Sequence, residues 1–197
     1  MTTPRNRETA IRYDITTPEQ VGFVFIKGGY DDCADDLCYD FNANGLDILR
    51  DTRVTLSETV VDYIYRDSAH EHFYRDMREY LVGRTVTSLV LGVPHGNAQQ
   101  SVHELKTGTN GRENLRRKYK HPHAWIDEDQ MRIWEQGRHP EQKQLTIMLT
   151  QANVFHASDD TTDAIESIRQ LQRTTSGLYL PAQQRVPRQI GRVAGIL

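Results

Sequence analysis

The chain has only two cysteines, Cys33 and Cys38, and they fall outside any C-x-x-C spacing, which excludes a disulfide framework and a zinc finger. They read as small core residues. It also lacks any apolar run near the roughly 18 residues that cross a bilayer. The opening MTTPRNRETA has no apolar stretch of the signal-peptide kind, so a cytoplasmic protein with no membrane partner is expected. Positive charge is not in excess. A net charge of -3 and a pI near 6.2 give no overall basic field to draw in nucleic acid, so any phosphate recognition has to be local. Paired histidines occur as His70-x-His72 and His121-x-His123, but neither pair has a cysteine or carboxylate at helical or finger spacing, and no protein-held metal is expected. No internal repeat is present.

What remains is enough for one domain with extensions. Mean hydropathy is low at -0.67, so polar segments must flank the core. Residues 1–18 are aperiodic and read as an N-terminal extension, the domain runs over 19–173, and 174–197, with Pro181, Pro187, Gly191 and Gly195, reads as a tail. Val21 to Lys27 (VGFVFIK) is a buried strand stopped by Gly28-Gly29. Asp31 caps a helix to about Asn44, closed by Gly45. Leu46 to Leu56 forms a second strand, and Thr55-Leu56-Ser57-Glu58 resembles a capping box leading into two helices over 58–82. Thr85 to Val93 is the third strand and Asn97 to Leu105 a helix. Polar residues from Lys106 to Lys143 suggest loops with a short helix at Asp129 to Gln136. Leu145 to Phe155 is the candidate fourth strand, and Asp159 to Leu171 an amphipathic helix. That order is α+β, a ferredoxin-like βαββαβ arrangement with a four-stranded antiparallel sheet covered by helices.

The sharpest local pattern is Asn153-Val154-Phe155-His156-Ala157-Ser158-Asp159, at a strand end and just before a helix. It resembles the N-x-x-H-G-S-D signature of nucleoside diphosphate kinases, with Ala157 in place of the glycine. Four more segments follow the same order. Ile26-Lys27-Gly28-Gly29 stands where the family has I-K-P-D-G. Tyr65, Asp67, Phe73 and Tyr80 match the spacing Y-x-D...F...Y on the helical pair. Gly108-Thr109-Asn110 resembles E-T-N, and Leu115-Arg116-Arg117-Lys118-Tyr119 resembles I-R-G-D-F.

The resemblance implies a transfer of the γ-phosphate of a nucleoside triphosphate to a nucleoside diphosphate or related acceptor through a phosphohistidine at His156. Imidazole suits that role because it is largely neutral near pH 7 and its N–P bond is labile enough to pass on. Lys27 and Tyr65 would reach the transferred phosphate, with Arg116 and Thr109 holding the others together with Mg²⁺. Asn153 would bond the ribose hydroxyls and Phe73 would stack on the base. Ser158 belongs to the same nucleotide-binding set, and Ser158 and Asp159 equally suit caps of the next helix. The resemblance also implies a tetramer or hexamer, to which the apolar end Val193-Ala194-Gly195-Ile196-Leu197 would contribute.

Three departures stand out. His103, a weaker donor, falls where the family has a second arginine. Ser167 falls where a glutamate orients the imidazole. A polar insertion, about 120–143, stands in place of a short connection. These departures would equally suit a catalytically weak nucleotide-binding or regulatory module on the same fold. The cluster Arg112, Arg116, Arg117, Lys118 and Lys120 is expected wherever a polyphosphate binds, and points to nucleic acid no more strongly than that.

Overall fold

The computed structural model describes residues 11–12, 17–120, 126–174 and 185–186. Strand β1 (Ile11–Arg12) pairs antiparallel with β6 (Arg185–Val186), and the rest of the expected tail, with its apolar end, lies outside the described residues. The main sheet holds β2 (Val21–Ile26), β3 (Asp47–Thr55), β4 (Thr85–Gly92) and β5 (Phe155–Ala157) in the order β3-β4-β2-β5, with every neighbouring pair antiparallel. This is the four-stranded antiparallel α+β sheet anticipated from the element order.

β2 reads as an unbroken apolar run because both of its faces are covered. Val21, Phe23 and Phe25 point to one side, where α2 (Glu58–Ile64), α3 (Tyr74–Leu81) and α8 (Thr161–Thr174) supply Val60, Met77, Leu81 and Ile168. Val24 and Ile26 point to the other, against Leu37 and Phe41 of α1 (Asp31–Ala43) and Val102 and Leu105 of α4 (Ala98–Thr107). Cys33 and Cys38 are half-buried free thiols packed against this second cluster.

Several boundaries differ from expectation. α1 is preceded by Tyr30, with no side-chain cap, and Asp31 is its first residue. Ser57, not Thr55, caps α2, its Oγ accepting from the Val60 N–H at 3.3 Å. The largest change lies in the insertion. The segment expected as a fourth strand from Leu145 is instead helix α7 (Gln142–Ala152), and β5 is confined to Phe155–Ala157. Leu145, Thr146, Thr150 and Ala152 recur at helical spacing as its buried residues and the helix packs beside α3, which overrides the β propensity of Thr146, Ile147 and Thr150. Before it come α5 (Leu115–Lys118) and α6 (Glu128–Glu135). No described helix is long and apolar enough to cross a membrane.

Candidate functional site

β5 is an edge strand paired with β2 in a register that sets His156 opposite Phe25. Phe155 and Ala157 join the α1/α4 core, so strand alternation turns His156 to the opposite face. There its ring stacks on Phe25 with centroids 5.0 Å apart and planes at 19°. The Tyr65 ring, just after α2, lies 5.0 Å away on another side. The His156 Nε2 is enclosed and has no hydrogen-bond partner. Ser167, in the place of an orienting glutamate, accepts instead from Ser158 Oγ at 3.4 Å.

Three cations surround this imidazole. Lys27 follows β2 directly. Its N–H donates to Val154 O at 2.9 Å, and its Nζ donates to Thr150 O at 2.5 Å. Burial, reinforced by Arg116, lowers its pKa to about 7. Arg116, on α5, donates from Nη2 to Phe155 O at 3.3 Å and lies 5.8 Å over the Phe155 ring, while its Nε is enclosed without a partner. Burial lowers its pKa as well. Lys106, on α4, reaches Ala157 O at 3.4 Å and Asp159 Oδ1 at 3.2 Å. Burial, then Lys106, Arg116 and Lys27, hold the His156 pKa well below its usual value, so the ring is neutral at physiological pH. Burial raises the Tyr65 pKa, and its phenol keeps its proton.

A cavity of about 190 Å³ brings together six residues singled out from the sequence, Lys27, Tyr65, Phe73, Arg116, Asn153 and His156. Met77, Trp134, Thr146, Leu149 and Thr150 complete its walls. The other three candidates are placed elsewhere. His103 lines a separate depression of about 230 Å³ with Gln100, Asp159 and Asp160. Thr109 follows the end of α4 and its hydroxyl shares a 3.0 Å hydrogen bond with that of Thr107. Ser158 is buried beneath Ser167, and the cap of α8 is Asp160, whose carboxylate accepts from the Asp163 N–H at 2.8 Å.

The sequence reading missed Lys106, although it stands one turn beyond His103 on the same face of α4, an i, i+3 relation that could have flagged it. It missed Trp134 as well. That ring stacks on Phe73 at 5.5 Å and 21°, and nothing local in the insertion signals the contact. Other candidates are absorbed by structure. His72 packs edge-on against Phe73 and Trp134, Arg112 pairs with Glu104, and Lys118 pairs with Asp40 and Glu113. The pair His121 and His123 lies outside the described residues. Among the described residues no group of three or more His, Cys, Asp or Glu could hold a metal ion.

A ferredoxin-like sheet that presents a neutral histidine on its edge strand to a cation-lined cavity defines the class of α+β protein seen here. The comparisons make the fold specific. No family model matches the chain, and no curated protein matches it in sequence. Among solved structures it is similar to a nucleoside diphosphate kinase from Aquifex aeolicus, with a TM-score of 0.54 and 14% identity, over 82% of this chain and 99% of that one. It is also similar to the nucleoside-diphosphate kinase from Borrelia burgdorferi, solved as a transition state mimic with bound vanadate and ADP. There the TM-score is 0.53 and the identity 18%, over 76% of this chain and 84% of the other. The chain therefore has the nucleoside diphosphate kinase fold, in a divergent form; identities this low establish the fold alone.

Proposed function

We propose that the protein is a nucleoside diphosphate kinase-like phosphotransferase that works through a phosphohistidine at His156. The observation that carries this reading is the convergence of Lys27, Arg116 and Tyr65 with a neutral His156 in one cavity, with Lys106 beside it. Phosphoryl transfer needs a nucleophile, charge neutralisation on the phosphate oxygens and fixed positions, and these residue types supply all three. Nε2 is enclosed, so attack falls to Nδ1. The Nδ1 lone pair forms a bond to the γ-phosphorus of a nucleoside triphosphate as the bridging P–O bond breaks, and the nucleoside diphosphate leaves with that electron pair. A second diphosphate, or a related acceptor, then attacks the phosphohistidine and restores the neutral ring.

Lys27 and Arg116 neutralise charge on the transferring group, and the Tyr65 hydroxyl donates to one of its oxygens. Asn153, on the same wall, offers its side-chain amide to the ligand. Magnesium enters as part of the nucleotide substrate, held by its phosphates, since no carboxylate among the described residues lines the cavity. The Borrelia enzyme with bound vanadate and ADP supports the same chemistry by analogy of fold. By the same analogy we expect a tetramer or hexamer, which light scattering at micromolar concentration would check.

Incubation with γ-labelled ATP and Mg²⁺ should label the protein through an acid-labile, base-stable bond, and a diphosphate should then remove the label. His156→Ala should abolish labelling while a phosphate chain still binds, because it removes the attacking atom and leaves the cations in place. If wild-type protein forms no phosphohistidine with any of the common nucleoside triphosphates, the enzyme reading fails and a nucleotide-binding module takes its place.

A further inference from the structure

A ring already lies against Phe73, the side chain expected to stack on a base. Phe73 packs on the core beside α3, and Trp134 of α6 stacks on it with centroids 5.5 Å apart and planes at 21°, so Trp134 covers part of the surface a base would need. Trp134 is fixed from several directions. Its Nε1 donates to Thr146 Oγ1 at 3.0 Å, its carbonyl accepts from Gln142 Nε2 at 3.0 Å, and His72 packs edge-on against it at 5.2 Å. Lys143 on α7 bonds Glu79 on α3 at 2.9 Å and adds a tie between the insertion and the helical pair. The cavity that remains, about 190 Å³, is smaller than the roughly 300–1,000 Å³ of sites that enclose ligands of nucleotide size. Its polar end, with Lys27, Arg116, Tyr65 and His156, is built for phosphate oxygens.

We infer that this site takes a condensed phosphate chain, recognised through its phosphates alone, and that Trp134 stands in the position a nucleobase would occupy on Phe73. The inference rests on the phosphotransfer reading for the role of His156, but it narrows the ligand to a phosphoanhydride. That chain can come from inorganic polyphosphate or from the triphosphate end of a nucleotide whose nucleoside stays outside. The α6–α7 segment is thus the element that sets specificity: it stacks Trp134 on Phe73 and offers the Thr150 carbonyl to Lys27 at the phosphate end.

Calorimetric titration with tripolyphosphate and with ATP tests this directly. Wild-type protein should bind the two within about threefold of one another, since the adenosine adds no stacking contact. Trp134→Ala should tighten ATP by about tenfold, the lower range of a base–aromatic stack, and leave tripolyphosphate unchanged. Should that variant fail to fold in a thermal melt, Phe73→Leu gives an independent reading, because it should leave the ratio of the two affinities where it is in wild type. The inference is overturned if wild-type protein binds ATP tenfold or more tightly than tripolyphosphate, or if Phe73→Leu selectively weakens ATP. Binding of neither ligand overturns it together with the phosphotransfer reading. Tight tripolyphosphate binding without any phosphohistidine would remove the enzyme reading and leave this one standing.

Discussion

Above neutral pH the affinity of the site for a phosphate chain should fall about tenfold per pH unit, because Lys27 must be protonated to bind and its pKa is near 7. The ordinary value is 10.5; burial, then the Arg116 charge, lowers it. Each pH unit above about 7 therefore adds about 1.4 kcal/mol to the cost of presenting an ammonium to the ligand. From pH 7 to 9, where the protonated fraction of Lys27 falls from about one half to about one hundredth, that amounts to roughly a fiftyfold loss of affinity. Of the other groups around the cavity, Lys106, whose pKa burial also lowers, acts in the same direction. His156 is already neutral, Tyr65 stays protonated, and terminal phosphates complete their ionisation near pH 6 to 7. Titration calorimetry with tripolyphosphate at constant ionic strength, in buffers of differing ionisation enthalpy, should show uptake of up to one proton on binding above pH 7. Lys27→Met should lower affinity at pH 7 and flatten the slope. The same shift acts on folding with a defined sign. Between about pH 7 and 10.5 the unfolded chain holds a proton on Lys27 that the native protein does not, so this residue makes stability rise with pH in that window. The stability difference between wild type and Lys27→Met, from urea denaturation, should therefore vary with pH between 7 and 9. A flat affinity profile over that range, or a slope as steep in the variant as in wild type, would refute the argument.

Two further outcomes are expected. Lys106→Met removes a cation that depresses the His156 pKa, so NMR titration of the imidazole should show that pKa moving up, and tripolyphosphate affinity should fall by about three- to tenfold. Gly28→Ala should cost about 1–3 kcal/mol in urea denaturation, since its Cβ would meet the Thr85 carbonyl oxygen at 2.7 Å, a rigid backbone atom; an unchanged midpoint would mean that this approach is not tight.

The sequence by itself determined the features that depend on local periodicity. The unbroken run of β2, its stop at Gly28-Gly29, the long helix after Asp160, and the nearness of His156 to a strand ahead of that helix were legible from residue spacing, although His156 lies within β5 and not at its end. Strand alternation also fixed His156 on the face opposite Phe155 and Ala157, once β5 was known to be extended. The span from Gln142 to Ala152 was not legible, because its apolar and β-branched residues satisfy a strand or a helix equally well, and packing beside α3 decides between them. Tertiary structure alone decided three things about the site. On α4, His103 and Lys106 share one face, yet packing brings the Lys106 charge to bear on the imidazole and leaves His103 at a separate depression. The pKa of Lys27 depends on how deeply packing buries it and on the approach of Arg116, neither of which is encoded near residue 27. The Phe73–Trp134 stack joins two segments distant in the chain. Short-range sequence fixes backbone conformation and the side on which a residue points, whereas the distances between side chains on different elements, and with them the burial and charge that tune a site, exist only once those elements pack.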